Sequence, residues 1–228
     1  MSDQPVIETM SDAEAEAYFK EKLAEAEQKL TNLTNDHGDL AKAELLLDKA
    51  NAQIKLARKS GAFATAREAF ELFLKYDCWM EAVECCEIMF LSGETDAISA
   101  LIQGAWLAIA FPIDPELSVL MLNHIIDETP DNADGAAVAA VTAHYIVGLR
   151  ATDKILDNLE FLTTNLIAKV AQRHGGVDSQ ESLNAWMERL QLTDPTIFLP
   201  RMGQVIDAIM GQNQWWFDRD ELRQKMPH

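Results

Sequence analysis

Apolar positions recur at intervals of three and four along almost the whole chain. Phe19, Leu23, Ala26, Leu30 and Leu33 are spaced by four, three, four and three, which places one apolar seam on a helix. Ser11 and Glu14 stand at the offset of a capping box at its start. After a polar turn from Thr34 to Gly38, Leu40, Ala43, Leu47, Ala50, Ile54 and Ala57 continue the rhythm on a second helix, which Gly61 is expected to close. Two such helices joined by a short turn make an antiparallel hairpin over residues 1–60.

The following segments are shorter. Phe63, Ala66, Phe70 and Phe73 form one stripe, and Trp79, Ala82, Cys86 and Met89 form the next, so each helix requires a neighbour to cover it. Gly61, Ala62, Phe63, Ala66, Phe70 and Phe73 resemble the second helix of a tetratricopeptide repeat, where glycine, an aromatic, alanine and a further aromatic recur at comparable offsets. The resemblance covers residues 61–77. It implies an array of helical hairpins that binds other proteins.

Residues 61–228 are expected to form a helical core domain. Ala97 to Phe111 and Gly135 to Leu149 are apolar nearly all round, the second rich in alanine, and these are the expected central helices. Between them Asp114 is placed to cap a helix with Pro115 at its first position, and Thr129, Pro130 and Asp131 close it. A helix from Asp153 to His174 ends at Gly175 and Gly176. Asp178 with Glu181 opens another, while Pro195 and Pro200 punctuate the connection to a helix through Val205, Ile206, Ile209 and Met210. Asp218 with Glu221 caps a short last one. No segment alternates at period two for long enough to require a strand. The expected fold is therefore all-α, about 11 helices in antiparallel hairpins, arranged as an α-solenoid or an irregular bundle.

Charge narrows the partners. The formal net charge is −18, and residues 61–149 carry 14 acids against two bases, Arg67 and Lys75. Phosphate neutralisation needs Lys and Arg, so this balance argues against nucleic acid and against anionic lipid surfaces; it is compatible with a basic protein partner, the plainer reading being that the acids keep a helical protein soluble. The acidic start from Met1 to Glu16 lacks the basic and apolar blocks of a targeting peptide, which points to the cytoplasm. Ala97 to Phe111 falls short of the roughly 20 residues needed to cross a bilayer.

No phosphate loop, HExxH, CxxC or nucleophile-elbow motif is present, so no catalytic residue and no cofactor is assigned. His124 and His144, on consecutive core helices with Asp127 and Glu128 close by, are the candidates for a metal site, against the plainer reading of histidines held in the core by a hydrogen bond. The three cysteines do not suggest a disulfide framework. Cys85 and Cys86 lie among Glu81, Glu84 and Glu87, which disfavour a thiolate; one of the pair is expected to pack inward. Trp215, Trp216 and Phe217, followed by Arg219 and Arg223, either pin the tail onto the body or form a binding surface. The N-terminal hairpin either packs on the body or offers a face for homodimerisation.

These observations favour a non-enzymatic protein that binds or assembles partners along an acidic helical face. The rivals are a metal-dependent or redox helical-bundle enzyme using His124 and His144, and a regulatory subunit with a small apolar ligand between its helices.

Overall fold

The structure, a computed structural model, describes residues 10–34 and 38–226. Among them are eleven helices and no strand: α1 (Asp12–Asn32), α2 (Gly38–Lys55), α3 (Lys59–Lys75), α4 (Trp79–Ser92), α5 (Ala97–Ala110), α6 (Pro115–Asp127), α7 (Asp134–Arg150), α8 (Asp153–Gly175), α9 (Gln180–Arg189), α10 (Pro195–Met210) and α11 (Arg219–Arg223). No helix among the described residues is long and apolar enough to cross a membrane. The chain divides into two compact units, 1–100 and 101–228.

In unit 1 each helix packs on the next, and α2 also meets α4. The capping box at Ser11 is formed: its hydroxyl accepts from the Glu14 N–H at 3.4 Å, and its own N–H donates to the Glu14 carboxylate at 2.9 Å. The α1 seam turns into its own hairpin, with Leu23 and Ala26 buried and Phe19, Leu30 and Leu33 half-buried. Most of the turn expected at residues 34–38, together with residues 1–9 of the acidic start, lies outside the described residues. The helices on either side of residue 60 pack against each other, so the unit holding the N-terminal hairpin runs on to Ala100.

Gly61 does not close α2. That helix stops at Lys55, and Ala57 takes the left-handed conformation (φ 55°) usual for a terminating glycine. The Arg58 N–H then reaches back to the Gln53 carbonyl at 2.9 Å and the Ala57 N–H to that of Ile54 at 3.0 Å. Gly61 lies instead inside α3, where a Cβ would stand 3.1 Å from the Gln53 side chain, so its place is set by the close approach of α2. On α4 both Cys85 and Cys86 are buried, not one of the two, because the helix is covered on two sides.

Unit 2 is organised around α7, which packs against α6, α8 and α10. Its residues Ala136 to Ala143 are all buried, and the run of small side chains lets three neighbours approach one rod. Asp114 caps α6 as expected, accepting from the N–H groups of Glu116 (2.7 Å) and Leu117 (3.4 Å). The cap of α9 is Ser179 with Ser182 rather than Asp178 with Glu181. Pro195 and Pro200 do not break the chain between helices. Pro195 opens α10 behind the Asp194 cap, and Pro200 sits inside that helix, where it leaves one backbone acceptor without its helical donor.

Candidate interaction surface

Three arginines of unit 2 are drawn to helix ends. Arg150, at the end of α7, donates to the Ala108 and Ile109 carbonyls at the end of α5 (2.7 and 2.9 Å) and to the Ser118 hydroxyl (3.1 Å). Arg173 of α8 donates to the Ile126 carbonyl near the end of α6 at 2.7 Å and pairs with Asp131 at 3.3 Å. Arg201 of α10 donates to the Leu190 carbonyl at the end of α9 and pairs with Asp134 at 3.2 Å. Each guanidinium meets a carbonyl at a helix C-terminus, the negative end of its dipole. Arg219 is taken up as well, by Asp207 at 2.6 Å and by the face of Trp215. Several bases are thus committed within the fold, and most acids stand at the surface without them.

The apolar surface is also concentrated. Leu120, Leu149, Ile155, Phe161 and Leu162, half of the exposed large apolar side chains among the described residues, stand on α6, α7 and α8. Phe161 is 73% exposed. Between α6 and α8 lies a cavity of about 450 Å³. From α6 it takes Glu116, Val119, Leu120 and Asn123, and from α8 it takes Leu159, Leu162 and Leu166. Asn123 in turn donates to the Asp127 carboxylate at 3.2 Å. The lining is apolar with an acid at one end and, through Asn123, a second acid at the other.

His144 meets the Thr163 hydroxyl at 2.9 Å through Nδ1, and that hydroxyl donates to the Leu159 carbonyl at 2.7 Å. This contact joins α7 to α8 and holds His144 by a hydrogen bond. His124 is half-buried. Burial lowers its pKa from the ordinary histidine value, against the opposing pull of Asp127 and Glu128. Among the described residues no three His, Cys, Asp or Glu side chains come together in a group able to hold a metal ion, so His124, His144 and Glu128 are not assembled as ligands. Burial raises the Cys85 and Cys86 thiols far above the usual range; Cys78 is raised less, by burial and by Glu81, Asp77 and Glu44.

Trp215 and Phe217 pack on Trp106 of α5, with ring centroids 6.2 and 5.5 Å away, and the Trp216 N–H donates to the buried Gln103 side chain at 2.7 Å. The tail is thereby anchored within unit 2. Arg223 pairs with Asp220 at the surface.

One polar cluster has no counterpart in the sequence reading. His174 Nδ1 accepts from Trp186 Nε1–H at 3.1 Å, and its Nε2 faces the Asp134 carboxylate at 3.2 Å, which also holds Arg201. Both ring nitrogens are engaged, so the imidazole has none left for proton transfer to a substrate. The cluster ties the start of α7 to the end of α8, to α9 and to α10. Trp186 fits there because the neighbouring residue is glycine: a Cβ on Gly175 would stand 2.9 Å from its ring. The residues involved lie up to 67 positions apart, and no local pattern could have revealed them.

Comparison of the chain with protein-family models, with curated proteins and with solved structures finds no match.

Proposed function

We propose that this chain is a non-enzymatic interaction or assembly protein that receives a protein partner on unit 2. The observation that carries the reading is the coincidence, on α6 to α8, of exposed apolar side chains with the exposed acids Glu116, Asp127 and Glu128, while Arg150, Arg173 and Arg201 are engaged at helix ends. Concentrated apolar surface rimmed by charge is the usual mark of a protein-binding face. The successive packing of α6, α7 and α8 supports an array of hairpins of the kind that the tetratricopeptide resemblance implies.

The test is capture by the immobilised full chain from native extract. A protein should be retained in stoichiometric amount at about 50 mM salt and released at about 1 M, where the screening length falls to about 3 Å. Retention of nothing at any salt, or a stoichiometric metal or coloured cofactor in the purified protein, would overturn the reading.

A further inference from the structure

We propose that the cavity between α6 and α8 seats a short amphipathic helix from a partner protein, with apolar side chains on one stripe and Lys or Arg on its flanks. The proposal rests on the interaction reading above and names the place and chemistry of the contact.

The shape argues for a rod. Because α7 pairs with both walls through short connections, α6 and α8 run in the same direction and leave a trough between them. The α6 wall spans residues 116 to 123 and the α8 wall 159 to 166, each one stripe of seven residues' rise. Seven residues of helix advance about 10 Å, so the trough accommodates about two turns, the length over which a helix presents apolar side chains at i, i+3 or i+4, and i+7.

The apolar lining calls for aliphatic or aromatic side chains. Val119 and Leu159 form its buried floor, at 4% and 6% exposure, while Leu120 and Leu162 remain at 36% and 52%. These two are placed to gain from being covered.

The charge selects the partner's sign. Glu116 lies in the lining, Asp127 is held to it through Asn123, and α6 carries no Lys or Arg. On α8, Asp157 and Glu160 stand on either side of Leu159 in sequence, with Lys154 nearer the start of the helix. Lys169, one turn beyond Leu166, lines a different cavity with Val177, Asp178 and Leu183 of the α8–α9 side. An acidic helix would therefore meet repulsion along the α6 rim, and a basic one would meet complementary charge.

A fluorescent peptide of about 14 residues, four turns of helix, with leucine on one stripe and lysine elsewhere, serves as the probe; its twin carries glutamate in place of lysine. Anisotropy titration against the full chain at low salt should show saturable binding of the lysine peptide, and binding at least tenfold weaker for the glutamate peptide. L120Q combined with L162Q should weaken the lysine peptide roughly tenfold, a loss of about 1.4 kcal/mol. L91Q, at an exposed position of α4 in unit 1, should leave it unchanged. Both substitutions fall at exposed positions, and an unchanged circular dichroism melt confirms folding.

Equal binding by the L120Q/L162Q protein would overturn the assignment, as would equal loss with L91Q or equal affinity for the glutamate peptide. A wild-type dimer in sedimentation that the L120Q/L162Q protein converts to monomer would make a second copy the occupant and also overturn it. If the L120Q/L162Q protein still retains the captured partner of the preceding test, the groove assignment falls while the interaction reading stands. Failure of capture with intact peptide binding separates the opposite case.

Discussion

Three helix ends in this protein use residues that dislike the conformation they hold. Ala57, Asp77 and Gln191 have φ of 55°, 57° and 54°, and in each case the next N–H reaches back five residues to a carbonyl, as in a Schellman turn. An L-residue pays roughly 1–2 kcal/mol for the left-handed region, part of which glycine would return to the unfolded chain as entropy. Ala57→Gly and Gln191→Gly should therefore each raise the unfolding free energy by about 1 kcal/mol, seen as a higher urea midpoint at unchanged slope. An unchanged or lower midpoint would show that these turns are not as drawn. The same residues explain why the end of α2 was misplaced: a stop signal is read from glycine, and Ala57 carries none.

At the level of elements, the telling feature is how the ends of α5, α6 and α9 are met by arginines of other helices, from more than 40 residues away at α5 and α6. Arg150 has only carbonyls and a hydroxyl around it among its hydrogen-bond partners, and burial pulls its pKa below the ordinary arginine value. Removing it would leave the Ile109 carbonyl without its donor and Ala108 with only the Ser118 hydroxyl at 3.3 Å. Arg150→Met should cost about 2–3 kcal/mol in chemical denaturation, since hydrogen bonds to a charged donor contribute about 1.5–3 kcal/mol each and neighbouring groups relax in part. Arg150→Lys should recover only a fraction, because an ammonium cannot fork onto Ala108 and Ile109 together. Loss below about 0.5 kcal/mol would mean that water replaces the guanidinium without penalty.

Across the molecule, the aromatic tail is the contact of longest reach, joining Trp106 near the start of unit 2 to Trp215 and Phe217 near its end. Trp215 is only half-buried and Arg219 lies over its ring, so its truncation should cost less than the roughly 3–5 kcal/mol of a fully buried aromatic. We expect about 2 kcal/mol for Trp215→Ala, measured as a lowered melting temperature. An unchanged melt accompanied by lost partner capture would instead assign the ring to an interface, the alternative that the sequence raised. The net charge acts at the same scale. With −18 on the chain and several arginines of unit 2 committed to helix ends and ion pairs, repulsion between surface acids is available to be relieved by a basic partner.

Periodicity of apolar positions was enough to establish the all-α class and most helices, because burying one face of a helix imposes a spacing of three to four whatever the neighbour is. Caps with a side-chain signature, Ser11, Asp114 and Asp218, were legible for a similar reason: donor and acceptor lie within three residues. Gly61, Asp178 and Pro200 were misread because glycine, aspartate and proline each admit more than one structural use, and the choice among them depends on what packs nearby. The arginine caps, the His174 cluster and the α6–α8 cavity left no trace in the order of residues. They arise where side chains tens of positions apart are brought within a few ångströms, and that proximity is a property of how helices stack rather than of any helix alone.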